Sequence, residues 1–197
     1  MPRELVFATH NAHKVGEVRR ILEGTGIEVK SLADLGFEED PPETGDTFEA
    51  NALQKARFVA ARTGTPCIAD DSGLEVDALG GAPGVHSKRY TPEANAAANN
   101  AKLLRELDGR TDRVARFRCV LALVDGDRHA TASGACEGTI LDAETGEGGF
   151  GYDPVFAPKE APGRSMAELS PDEKNAISHR GRAFRQLPKL LAQVAAS

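Results

Sequence analysis

In the first half of the chain, apolar runs too short for helices alternate with segments whose apolar residues recur at helical spacing. This alternation restricts the fold more than any other feature. "ELVFAT" carries Leu5, Val6 and Phe7 as a continuous run suited to a buried strand. "HKVGEVRRILEG" follows, placing Val15, Val18 and Leu22 on one helical face before a glycine. "IEVKSL" reads as the next strand. After a loop rich in acid and proline, Asp46 and Glu49 have capping-box spacing. Phe48, Ala52, Ala56, Val59 and Ala60 then stripe a helix. "TPCIAD" and "GLEVDAL" read as two short strands, with Asp70 and Asp71 ending the first. Thr91 and Pro92 open a helix that Gly109 closes. "RFRCVLALVDGDRHATASGACEGTI" reads as a β-hairpin, with Asp125-Gly126 as its turn dipeptide. "PVFAP" is a further strand, and Ser170, Pro171 and Glu173 start a helical tail. The pattern predicts an α/β fold with a mixed sheet, one domain over residues 1–197, with two lobes around a cleft.

Composition narrows the function classes. A formal net charge of −6 argues against a nucleic-acid partner gripped through a broad basic face. A small phosphate ligand needs only a few local cations and stays open. No apolar stretch is long enough for a bilayer, so no membrane partner is expected, and "MPRELVFATH" lacks a secretory apolar region and reads as a strand entering the fold. Cys67, Cys119 and Cys136 are widely spaced and read as small buried residues in a reducing compartment.

Five stretches carry chemistry-bearing residues. "ATHNAHK" lies between a strand and a helix, where free N–H groups and Lys14 attract anions, or where Thr9 or Asn11 caps the helix. "PETGDTFEANALQKA" brings Glu43 ahead of a helix bearing Lys55; alone, Glu43 reads as a solvated loop acid. Asp70 and Asp71 are adjacent strand residues and point to opposite faces, so at most one faces a given metal while the other holds the loop or supports from behind. Mg²⁺ is commonly held by one or two carboxylates plus substrate phosphates, and one of these aspartates with Glu43 meets that need; the plainer reading is turn capping. "GEGGFGYDP" surrounds the exposed-looking Phe150 and Tyr152 with glycines that let backbone approach a planar ligand, or that form a flexible connection. "SPDEKNAISHRGRAF" holds Lys174, His179 and Arg180; Lys174 and Arg180 converge only if the helix ends or bends near Gly181.

The ordered set "THNAHK", "ETGDTFEANALQKA", "IADDSGLEVDALGGAPGVHSKRY", "GGFGYDPVF" and "ELSPDEKNAISHRG" resembles the inosine triphosphate pyrophosphatase family, over nearly the whole chain. The resemblance implies a long twisted mixed sheet with helices forming two lobes around a central cleft. It implies hydrolysis of ITP, dITP or XTP to the monophosphate and pyrophosphate, with Mg²⁺ as cofactor, in a cytoplasmic homodimer that clears deaminated purine nucleotides. The phosphate-binding segment falls on Thr9, His10, Asn11, Ala12, His13 and Lys14. The metal-binding glutamate falls on Glu43. Asp71 takes the place of the catalytic, metal-associated aspartate, with Ser72 next as a substrate contact. The base-binding segment falls on Phe150, Gly151, Tyr152 and Asp153, and later contacts on Lys174, His179 and Arg180. Lys55 and Asp70 stand in supporting places. Two positions depart from the pattern: His10 stands where many relatives have glycine, and Lys88 where many bacterial relatives have a small residue.

Two rivals differ in testable ways. A Maf-type pyrophosphatase resembles this fold, but its N-terminal segment is serine-rich and ends in arginine rather than reading "THNAHK". A nucleotide sensor without catalysis has little use for a water-activating carboxylate beside Glu43.

Overall fold

The computed structural model describes residues 3–196. It contains six strands, β1 (Arg3–Phe7), β2 (Ile27–Ser31), β3 (Cys67–Val76), β4 (Val114–Asp125), β5 (Arg128–Ile140) and β6 (Phe156–Pro158). Six α-helices accompany them: α1 (Ala12–Ile21), α2 (Phe48–Thr63), α3 (Ala96–Glu106), α4 (Pro171–Ile177), α5 (His179–Phe184) and α6 (Leu187–Ala196). The strand order is β2-β1-β3-β4-β5-β6, with β1 parallel to β2 and β3 and β5 antiparallel to β6. The expected mixed α/β class holds. The chain divides into two compact units, the first made of residues 1–71, 119–134 and 180–197, the second of residues 72–118 and 135–179.

In the first unit, α1 packs Val15, Val18 and Leu22 onto β1 residues Leu5 and Phe7, with α6 adding Leu187, Leu190 and Val194. Each such side chain, fully buried, contributes about 1.5–3 kcal/mol. Phe7 and Phe184 meet edge to face at 5.5 Å. The outer strand, β2, has side chains against its backbone. Arg19 donates to the Val29 carbonyl at 3.1 and 3.2 Å, and Asp34 accepts from the Ser31 N–H at 2.7 Å. Arg19 and Asp34 are themselves paired.

The second unit has its own core of Leu74, Val76, Leu103, Leu107, Phe117, Ile140, Tyr152 and Phe156. The expected hairpin forms, β4 turning into β5 at Gly126–Asp127, one residue on from the expected Asp125-Gly126 and within the first unit. The capping box at Ser170 and Glu173 also forms, with Pro171 in the first helical turn.

Four local expectations are corrected. The two short strands are one strand, β3, because the Ser72–Gly73 turn signal is overridden; Leu74 donates its N–H to Ser87 Oγ at 2.9 Å and buries its side chain. Asp70 and Asp71 therefore lie mid-strand. The cap of α2 is Thr47, whose hydroxyl accepts from the Ala50 N–H, rather than Asp46. Helix α3 begins at Ala96 under Asn95, because Asn99 Oδ1 accepts both the N–H and the hydroxyl of Thr91 (2.9 and 2.8 Å), tying residue 91 into a turn. The helical tail breaks at Ser178, which is extended (ψ 154°), and not at Gly181.

Candidate active site

The acidic doublet splits as strand alternation requires. Asp70 is fully buried and faces Lys14 and Arg180. Lys14 Nζ donates to its Oδ1 at 3.0 Å, and Arg180 Nε and Nη2 to its Oδ2 at 3.3 and 3.1 Å. The other side of Arg180 holds Glu17 at 2.6 Å. Asp71 faces α2. Its Oδ1 accepts from Lys55 Nζ at 3.0 Å and its Oδ2 from Asn51 Nδ2 at 3.1 Å.

Glu43 comes from the loop ahead of α2 and reaches the same ammonium, with Lys55 Nζ at 2.7 Å from its Oε1. Two carboxylates from segments 28 residues apart thus converge on one cation. Burial raises the Asp71 carboxyl above its ordinary range, against the pull of Lys55, Lys14 and Asn51. Burial alone would lower Lys55, but Asp71 and Glu43 outweigh it and hold the ammonium above its usual value. Lys14 is lowered, first by burial and then by Arg180 and Lys55, with Asp70 opposing. The local arrangement is a buried carboxylate beside a second carboxylate and two lysines.

The donor set tests a metal. Among the described residues no group of three or more His, Cys, Asp or Glu side chains could hold an ion alone. An oxygen-only pair that already shares a cation fits Mg²⁺ completed by substrate phosphates, and does not fit a structural zinc.

The "THNAHK" segment forms the expected strand-to-helix junction. Asn11 caps α1, its Oδ1 accepting from the His13 and Lys14 N–H groups at 3.0 and 3.2 Å, and Thr9 Oγ1 accepts from Asn11 N–H. The capping reading therefore describes these two amides in this structure. Asn11, Ala12 and His13 remain exposed, as does His10, whose ring lies 3.3 Å from the Glu39 carbonyl.

The second unit assembles the later motif residues. Asp153 accepts from the Phe150 N–H and from Lys174 Nζ, both at 2.7 Å. The Lys174 ammonium also lies 4.6 Å from the centre of the half-buried Phe150 ring. Tyr152 was expected to be exposed but is 6% exposed; it belongs to the core and donates its hydroxyl to the Ser87 carbonyl at 2.8 Å. Its neighbour Gly151 offers its carbonyl to Asn100. His179 stacks on Phe117 at 4.8 Å. The glycines here serve close protein packing. At Gly149 (φ +70°) a Cβ would come within 2.2 Å of Asp153 Oδ2, and at Gly148 within 2.6 Å of the Ala167 carbonyl. Ser72, the residue after Asp71, is half-buried.

Sequence reading missed Asn51, Gln54 and Glu17. The first two were legible only as neighbours of Lys55 on a helix, at i−4 and i−1.

The Ham1 family profile matches residues 5–190. The chain belongs to the Ham1 family. It is 53% identical over 189 residues to a dITP/XTP pyrophosphatase of Geobacillus kaustophilus, covering 94% of this chain and 92% of the relative. A Bacillus subtilis dITP/XTP pyrophosphatase is 51% identical over 193 residues, covering 96% and 97%. Among solved structures, a Ham1 protein from Coxiella burnetii superposes with a TM-score of 0.84 at 41% identity, covering 97% of this chain and 99% of that one. The resemblance drawn from the motifs is borne out across this Ham1 chain.

Proposed function

We propose that this Ham1 chain is a nucleoside triphosphate pyrophosphatase that cleaves dITP and XTP, and ITP with them, to the monophosphate and pyrophosphate. The observation that carries the reading is the convergence of Glu43 and Asp71 on one cation, Lys55 Nζ, at 2.7 and 3.0 Å. The Geobacillus and Bacillus relatives, roughly half identical over nearly the whole chain, support the same substrate class.

Glu43 and Asp71 would hold Mg²⁺, which supplies charge neutralisation on the phosphates. Asp71 takes the proton of the water that attacks the α-phosphorus. Lys14 lies beside Asp70 and offers its ammonium to the polyphosphate; the incoming negative charge favours its protonated form. Thr9–His13 are assigned to the phosphates. Phe150, Lys174 and His179 keep the purine assignment that the motif resemblance implies, whereas Arg180 is sealed between Asp70 and Glu17 and Tyr152 belongs to the core. Hypoxanthine and xanthine present a 6-oxo acceptor where adenine presents an amino donor. A donor built to meet that oxygen discriminates by about 10⁴–10⁵. The homodimer and cytoplasmic setting belong to this same proposal. Among the described residues no helix is long and apolar enough to cross a membrane.

The test is pyrophosphate release from dITP, XTP, ITP, dATP and dGTP, with Mg²⁺ and with EDTA. The expected result is rapid Mg²⁺-dependent release from the deaminated purines and loss of turnover in Asp71→Asn with the fold retained. Equal rates on dATP overturn the selectivity, and wild-type turnover in Asp71→Asn removes Asp71 from the chemistry.

A further inference from the structure

Three successive loop residues are fastened to one face of α2. Lys55 holds Glu43. Gln54 holds Thr44 twice, its Oε1 accepting the Thr44 N–H at 2.9 Å and its Nε2 donating to Thr44 Oγ1 at 2.8 Å. Asn51 holds Gly45, its Oδ1 accepting the Gly45 N–H at 2.7 Å. Two of the three helix residues also reach β3: Lys55 through its ammonium, and Asn51 by giving its Nδ2 to Asp71 Oδ2 at 3.1 Å. It is 2% exposed. Each end of the amide has a defined partner, so its orientation is set, and a flip would place donor against donor and acceptor against acceptor. The loop comes close enough only because residue 45 is glycine: a Cβ there would meet Ala50 Cβ at 2.7 Å and Asn51 Oδ1 at 3.0 Å.

We propose that Asn51 is a positioning residue that sets the separation of Glu43 and Asp71, by tying the Glu43 loop and the Asp71 carboxylate to one rigid helical turn. The assignment rests on the proposed reading of Glu43 and Asp71 as the metal-holding pair. Lys55 joins the two carboxylates through a flexible four-carbon stem and a single charge. Asn51 fixes them through a short side chain with two directional bonds, one of which also directs which Asp71 oxygen stays turned toward Glu43's side of the ammonium. Without it, Asp71 regains rotamer freedom and the loop loses its anchor nearest the helix start.

The experiment compares wild type, Asn51→Ala and Gly45→Ala. Mn²⁺ binding in the presence of saturating non-hydrolysable α,β-methylene dITP is measured by water-proton relaxation, alongside kcat and KM for dITP and the thermal midpoint. Loss of an outer positioning partner costs about 10–100-fold in metal affinity or activity. Asn51→Ala is expected to weaken Mn²⁺ binding and lower kcat by that factor, with KM within about 3-fold, since no substrate contact is removed. Gly45→Ala, which pushes the loop off Asn51 without touching Asp71, is expected to weaken Mn²⁺ in the same direction, and it decides the matter should Asn51→Ala not fold. Mn²⁺ affinity and kcat within 2-fold of wild type in the folded variants overturn the proposal. So does a loss that appears in KM alone. If wild type releases no pyrophosphate from any purine triphosphate, the enzymatic reading fails, while the Mn²⁺ comparison still upholds or overturns the positioning role.

Discussion

Lys174 and Asp153 show how a single residue carries both packing and charge. Both are nearly excluded from water and joined at 2.7 Å, with Asp153 also accepting the Phe150 N–H. Removing one member strands the other in a medium that solvates it poorly. Lys174→Ala should therefore lower stability by about 3–5 kcal/mol, read from urea unfolding, and a second change of Asp153→Asn should recover part of that loss. Additive losses in the double variant would show that the pair is not coupled. The two neighbouring glycines give a sharper contrast. Gly149 and Gly151 both have positive φ, +70° and +62°, but only at Gly149 does an added Cβ strike Asp153, while Gly151 has open space. Gly151→Ala should cost about 1–2 kcal/mol, the left-handed penalty alone. Gly149→Ala should cost clearly more; equal costs would mean that the Asp153 side chain moves aside freely.

Helix α2 is the element on which the site depends, and its start tests which residue caps it. Thr47 accepts from the Ala50 N–H, and Asp46 does not take that place. Thr47→Ala should lose about 1 kcal/mol and Asp46→Ala close to none, by thermal or urea unfolding. The reverse order would restore the capping box that the sequence spacing suggested. This helix also shows what one chain of letters reveals. Its apolar stripe was legible, because Phe48, Ala52, Ala56 and Val59 obey helical spacing and are buried. Glu43, Lys55 and Asp71 were named from motif resemblance, but that one ammonium joins both acids depends on a loop folding back, which no periodicity encodes. Asn51 looked like filler between two alanines, since a polar residue in a helix declares no partner. The continuity of β3 was hidden for the opposite reason: Ser72–Gly73 is a good local turn signal, and it yields to distant partners, the neighbouring strands of the sheet and the bond from residue 74 to Ser87.

At the scale of the whole molecule, the cysteines and the sheet margin set expectations. Cys67, Cys119 and Cys136 form no disulfide among the described residues and are completely buried. Burial pushes the Cys67 thiol from 9.0 up to about 12. A thiol that is harder to ionise folded than unfolded binds its proton more tightly in the native state. Its contribution is present below about pH 9 and is lost as pH rises from about 9 toward about 12. Native protein at pH 8 should give no fast reaction with a thiol reagent, and the denatured chain should expose all three thiols; a rapid native signal would contradict the burial. At the margin of the sheet, Arg19 and Asp34 stand where the backbone of a further strand would lie, at the carbonyl of Val29 and the amide of Ser31. A neighbouring copy arriving from that side finds two of its docking points already taken by a linked pair of opposite charges. Growth of the sheet into ribbons or fibrils through that edge is discouraged.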